Sequence, residues 1–193
     1  MSIAIVKYNA GNICSVRNAL RRIGTAAIIT DDAQIIANAD KVILPGVGAA
    51  GTAMSHLKEK YLDQVIACLQ QPVLGICLGM QLMCAFSEED DTTCMGIFDQ
   101  RVLRFRGIEK VPQVGWNNIY HLMGPLFEDI NEQEYMYFVH SYYASAGAHT
   151  IATTEYGAGY SAAIQQNNFY GVQFHPEKSG AAGQRVLQNF IEL

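Results

Sequence analysis

Short apolar runs alternate with helically spaced ones through the first half of the chain. "IAIVKY" (3–8) is rich in β-branched residues and reads as a strand. After the turn "NAGN", residues 13–24 place Ile13, Val16, Ala19, Leu20 and Ile23 on one helical face. Asn12 suits the N-cap of that helix and Gly24 its stop. "AAIIT" (26–30) and "KVILPG" (41–46) predict two more strands. One amphipathic pattern over 52–70 predicts a single long helix. The strand "PVLGI" (72–76) and a helix after Cys77 follow. Strands alternating with helices predict a parallel sheet covered on both faces.

The second half has a different rhythm. "RVLRF", "GWNNIYHL", "YMYFVHSYYAS", "HTIATTEYG", "SAAIQQ" and "FYGVQFH" are strand-like runs separated by turn residues. They predict a mixed or antiparallel extension of the same sheet. "GAAGQRVLQNFIEL" closes the chain as a helix with Val186, Leu187, Phe190 and Ile191 facing inward. No linker, repeat or low-complexity segment interrupts residues 1–193, so one α/β domain with an open, mostly parallel sheet is expected.

With 193 residues the chain can build one well-buried core and is short for two. A net charge of -5 without a Lys/Arg cluster gives no case for nucleic acid. "MSIAIVKYNAGN" lacks the features of a signal peptide, and no apolar run approaches the roughly 18 residues of a membrane span. A soluble cytoplasmic protein with no membrane partner is expected. The five cysteines form no CxxC and no zinc spacing, so neither a metal nor a cofactor is expected. Cys14, Cys68, Cys84 and Cys94 read as small buried hydrophobes.

Cys77 stands apart, between the glycines of Gly75-Ile76-Cys77-Leu78-Gly79. It is either a packed core residue or a nucleophile on a strand-to-helix elbow, with the backbone N–H of Leu78 turned toward an oxyanion. A thiol nucleophile needs a base, and the base an orienting group. Of the histidines, His56, His121 and His149 lie in polar or turn segments and read as surface residues. His175 precedes Pro176, which biases it toward an extended backbone, and Glu177 two residues on can then bond one imidazole nitrogen. The alternative is a strand-end histidine beside an exposed glutamate. "LPGVGAAG" (44–51) is a simple loop or a second source of oxyanion donors.

Taken together, "GICLGMQ", "PGVG" and "FHPE" resemble a class I glutamine amidotransferase domain. "YNAGNICSV", "LPGVGAAGTAM", "GICLGMQLM", "VPQVGWN", "YFVHSY" and "GVQFHPEKSG" follow the order of the glutaminase-subunit family of imidazole glycerol phosphate synthase. The resemblance implies a flavodoxin-like three-layer fold. It also implies hydrolysis of L-glutamine to glutamate and ammonia through Cys77, His175 and Glu177, with Val47 and Leu78 as oxyanion donors. Gly48, Gln81, Glu89, Ser141 and Tyr142 match substrate positions; for Gln81 an outward polar residue and for Glu89 a solvated loop are the alternatives. The implied partner is a (β/α)₈-barrel cyclase that receives the ammonia in histidine biosynthesis. Asn12, Trp116, Tyr137 and Lys178 match positions near that interface, with N-cap, core, core and solvent as their structural alternatives. Ala50 departs from the phenylalanine often found there, which would loosen packing under the oxyanion loop. "GIFDQRVLRF" follows the family's glycine-rich segment only in part.

Overall fold

A computed structural model describes residues 1–8, 12–107 and 110–193. The first half follows the expected alternation: β1 (Ile3–Val6), α1 (Ile13–Arg22), β2 (Ile28–Thr30), α2 (Ala33–Asn38) and β3 (Lys41–Leu44). Then come α3 (Ala50–Glu59), α4 (Leu62–Ala67), β4 (Val73–Ile76) and α5 (Leu78–Met83). The turn "NAGN" falls largely outside the described residues. Helix α2 goes beyond the sequence reading; Asp32 caps it, its carboxylate accepting from the N–H groups of Gln34 and Ile35.

The single helix expected over 52–70 is two. Leu57 and Leu62 are both fully buried, yet five residues apart they cannot share a helical face. Tyr61, left-handed at φ 56°, resets the phase and leaves its own ring in solvent.

The remaining strands are β5 (Phe86–Ser87), β6 (Thr92–Thr93), β7 (Arg101–Arg104), β8 (Gln113–Asn118) and β9 (Tyr135–His140). They are followed by β10 (Tyr142–Ala144), β11 (Thr150–Glu155), β12 (Gly159–Gln166), β13 (Phe169–Val172) and the closing helix α6 (Gly180–Glu192). The main sheet has seven strands in the order β11-β12-β13-β4-β3-β1-β2; β13 through β2 are parallel, and β12 runs antiparallel to β13. Only three second-half strands extend that sheet. The others form a four-stranded sheet, β10-β7-β5-β6, and the hairpin-like pair β8-β9. Tyr135–Ala144, one run in the sequence, divides at Ser141 between these two.

Strands β1, β3, β4 and β13 are buried at every residue, as strands covered on both faces must be. Ile3, Ile5, Ile43, Leu74 and Val172 pack toward α1 and α6. Ala4, Val6, Val42, Leu44 and Val73 pack toward α2 to α5. No helix among the described residues is long and apolar enough to cross a membrane.

Candidate active site

Three neighbouring strands bring the distant motifs together. In the sheet β13 lies beside β4 and β4 beside β3, with Gly75 registered against both Gly171 and Leu44. All three run the same way, so Pro45–Gly48, Cys77 and His175 emerge at one edge. That is the carboxyl end of a parallel sheet, where α/β folds place ligands.

Cys77 sits between β4 and α5 at φ 52°, ψ −109°, a conformation a side chain adopts only under constraint. The constraint is close backbone packing. A Cβ on Gly79 would lie 1.8 Å from the carbonyl oxygen of Leu44. One on Gly46 would lie 2.6 Å from the Tyr8 hydroxyl and 2.8 Å from the Gly79 nitrogen. Strand β3, its glycine turn and the elbow helix therefore interlock. Tyr8, itself buried, donates its hydroxyl to the carbonyl of Pro45 and fixes the root of that turn.

The Cys77 side chain is nearly buried at 6% exposure. Its sulfur lies 3.6 Å from Nε2 of Gln173 and 3.9 Å from the carbonyl oxygen of Val139.

His175 is extended, φ −100° and ψ 94°, as the following proline requires. Its N–H donates to the carbonyl of Tyr137 and its carbonyl accepts from the Ser179 hydroxyl, which pins the main chain. The 3₁₀ turn Pro176–Lys178, rather than a continuing strand, carries Glu177 back under the ring. Nδ1 of His175 is 2.8 Å from Oε1 of Glu177, and both side chains are buried. Burial alone would lower the pKa of His175; the Cys77 sulfur and the Glu177 carboxylate together outweigh it and raise the pKa. Nε2 of His175 has no hydrogen-bond partner among the described residues.

A cavity of about 300 Å³ opens at Cys77. Val47, Gly48, Leu78, Gln81, Glu89, Ser141 and Tyr142 all line it, so every sequence-derived oxyanion and substrate candidate shares one wall. Gly48 takes φ 124°, a geometry that favours glycine. Glu89 is half-buried in a 3₁₀ turn, where its carboxylate accepts from the N–H of Ala50 at 2.8 Å; burial raises its pKa. Ala50 is itself fully buried.

Pro112, Val139 and His140 complete the wall and were not singled out from sequence. Neither was Gln173, although Gln173, His175 and Glu177 are spaced by two, the period of one face of an extended segment.

The four interface candidates divide. Trp116 and Tyr137 face each other across β8 and β9, ring centroids 6.0 Å apart at 77°, and the Lys178 ammonium lies 5.7 Å from the Tyr137 ring centre. Trp116 is 55% exposed, which removes the core alternative for it. Asn12 is not a side-chain cap. It is left-handed at φ 68°, and its amide donates to Oε1 of Glu177 instead. Of the remaining cysteines, Cys84 and Cys94 are buried, with burial pushing the Cys94 thiol up to about 11, whereas Cys14 and Cys68 are exposed.

The class-I glutamine amidotransferase family model matches residues 5–193, and the chain belongs to that family. Its curated relatives narrow this further. A Bacteroides fragilis protein named imidazole glycerol phosphate synthase subunit HisH is 55% identical over the full length of both chains. The protein of that name from Vibrio parahaemolyticus is 44% identical over 99% of this chain and 98% of its own. Two solved structures share the fold. A putative GMP synthase subunit from Thermoplasma acidophilum matches at TM-score 0.78 and 18% identity, covering 100% of this chain and 92% of that one. PurLQS from Thermotoga maritima matches at TM-score 0.73 and 16% identity, covering 99% and 97%.

Proposed function

We propose that this chain is the glutaminase subunit of an imidazole glycerol phosphate synthase, cytoplasmic and acting as one domain in histidine biosynthesis. The observation that carries the glutaminase reading is the meeting of Cys77 with the buried His175–Glu177 pair beside a small cavity. That cavity is at the small end of ligand sites, which run from about 300 to 1,000 Å³. It suits a free amino acid better than a peptide, which disfavours a stand-alone peptidase. The relatives' shared name favours this synthase over another amidotransferase.

In this reading His175 accepts the Cys77 proton, and the sulfur attacks the side-chain amide carbon of L-glutamine. Negative charge moves to the former carbonyl oxygen, which the N–H groups of Leu78 and Val47 hold. The intermediate collapses as His175 passes its proton to the departing nitrogen, releasing ammonia and leaving a γ-glutamyl thioester. Water, deprotonated by His175, then releases glutamate and restores the thiol. Glu177 fixes the ring and stabilises its charged form throughout. Gly48, Gln81, Glu89, Ser141 and Tyr142 orient the amino acid. No step calls for a metal or cofactor.

Ammonia protonated by water is no nucleophile, so a partner must take it directly. Val114, Trp116 and Tyr135 are exposed on one face beside the half-buried Tyr137, an apolar and aromatic patch of the kind enriched at interface centres, with Lys178 at its side. We assign it, together with Asn12, to a (β/α)₈-barrel cyclase in a heterodimer.

The test is glutamate release with and without that cyclase and a ligand of its own active site. Wild type should be slow alone and stimulated by the complex, while Cys77→Ser and His175→Asn should lose turnover in both. Full turnover by Cys77→Ser would overturn the mechanism; indifference to the cyclase would overturn the partner.

A further inference from the structure

We infer that Gln173 is a further catalytic residue: its side-chain N–H, aimed by a chain of hydrogen bonds through Gln81, holds the Cys77 sulfur in its anionic form. The inference rests on the reading above only in taking Cys77 as the nucleophile.

Gln173 is wholly buried, between the end of β13 and His175. A buried amide can present either its oxygen or its nitrogen, so its partners must decide which. The decision starts at the backbone carbonyl of Tyr142, which can only accept. Nε2 of Gln81 donates to it at 2.8 Å, which fixes the Gln81 amide. The same nitrogen has a second hydrogen, and it goes to Oε1 of Gln173 at 2.9 Å. With its oxygen engaged, Gln173 turns its NH₂ toward Cys77, at 3.6 Å from the sulfur. Reversing Gln173 would set two NH₂ groups against each other and a carbonyl oxygen against the sulfur.

The sulfur thus has a different partner in each protonation state. As a thiol it can donate weakly to the carbonyl of Val139, 3.9 Å away. Once the S–H bond breaks and His175 carries the proton, the sulfur keeps the electron pair and can only accept. The Gln173 N–H is the donor placed to meet it. A hydrogen bond stronger to the charged form than to the neutral one favours the charged form. Gln81 acts here as a positioning residue, working through Gln173 in addition to lining the cavity.

The experiment follows alkylation of Cys77 by iodoacetamide against pH in the full chain. The Cys77 peptide is read by mass spectrometry, because the exposed Cys14 and Cys68 also react. In Gln173→Met the profile should move up by about one pH unit, about tenfold slower alkylation on its acid side. Gln81→Met should move it the same way, and by nothing more in the Gln173→Met background. An unmoved profile in Gln173→Met overturns the role of Gln173; additive shifts overturn the relay through Gln81.

Should Gln173→Met fail to fold, the wild-type chain gives the answer by NMR. The Gln173 side-chain amide protons should shift as Cys77 titrates and lose that dependence in Cys77→Ala; protons indifferent to pH refute the contact. None of these readouts needs glutamine. Wild type that behaves as described yet releases no glutamate would sink the glutaminase reading alone.

Discussion

Replacing His140 with glutamine tests whether one buried histidine sets the acid stability of the fold. His140 ends β9 with 7% of its surface exposed, packed among the rings of Phe105, Phe138 and Tyr160. Nδ1 lies 2.8 Å from the carbonyl oxygen of Tyr142 and Nε2 lies 3.1 Å from the Tyr160 hydroxyl. Burial lowers its pKa from 6.5 to about 4; the Tyr142 carbonyl opposes the fall, and the charge on His175 adds to it.

The unfolded chain therefore takes up this proton first. Stability is intact above pH 6.5 and is lost as pH falls toward 4. The gap of about 2.5 pH units, at about 1.4 kcal/mol each, comes to roughly 3 kcal/mol in full and about 2.5 kcal/mol by pH 4.5. His175 does not confuse the result. Its raised pKa gives stability that is complete below 6.5 and declines as pH rises toward the folded value, and both proteins carry it, so it cancels in the difference. Glu89, raised by burial, contributes with the opposite sign to His140, gaining stability as pH falls.

Urea unfolding from pH 7.5 to 4.5 provides the measurement. Glutamine in place of histidine changes stability by an amount independent of pH, so the pH dependence of the difference isolates the titration. Wild type should lose about 2.5 kcal/mol more than His140→Gln across that range. A difference flat to within about half a kcal/mol would refute the argument.

Three further outcomes follow from the packing. Gly79→Ala puts a methyl 1.8 Å from a backbone oxygen, so β3 or α5 must shift; thermal unfolding should show a loss at or beyond the roughly 1–3 kcal/mol of ordinary overpacking, with glutamate release abolished. Tyr8→Phe leaves the Pro45 carbonyl without its buried donor and should cost about 1–3 kcal/mol in chemical denaturation, with slower turnover because the glycine turn loses its anchor. Trp116→Ala should weaken association with the cyclase by about 2 kcal/mol or more, read by calorimetry. The stability of the isolated chain should change little, because the ring is already more than half exposed.

What the sequence makes legible here is what depends on neighbours along the chain. Strands β1, β3 and β4 are continuous apolar runs because they are buried on both faces, and such runs need no partner to be recognised. His175-Pro176-Glu177 is legible because proline restricts its neighbour directly. The break at Tyr61 was written in the five-residue gap between Leu57 and Leu62, but it is visible only to a reader who requires both to be buried. The partition of the second half into three sheets was not readable, since alternation identifies a strand and says nothing about its partner. Cys14 and Cys68 were misplaced for a related reason: a small residue within a helical pattern carries too little apolar weight to mark a face.

The glycines of the elbow show where the two kinds of information meet. Gly75 and Gly79 read locally as relief for a tight turn, yet the structure gives them a larger task. A Cβ on Gly75 would strike Met83 and the backbone of α5, and one on Gly79 would strike β3. These contacts hold Cys77 at φ 52° against a local preference of about 1–3 kcal/mol. A freer chain would relax and turn the sulfur away. The strain persists because two strands and a helix approach more closely than any side chain at these glycines would permit. That approach also brings the sulfur, at the end of β4, within reach of Gln173 and His175, which both follow the neighbouring β13. The position of Cys77 is therefore a property of the sheet, and substitutions at the glycines should displace its sulfur even where Cys77 and His175 are untouched.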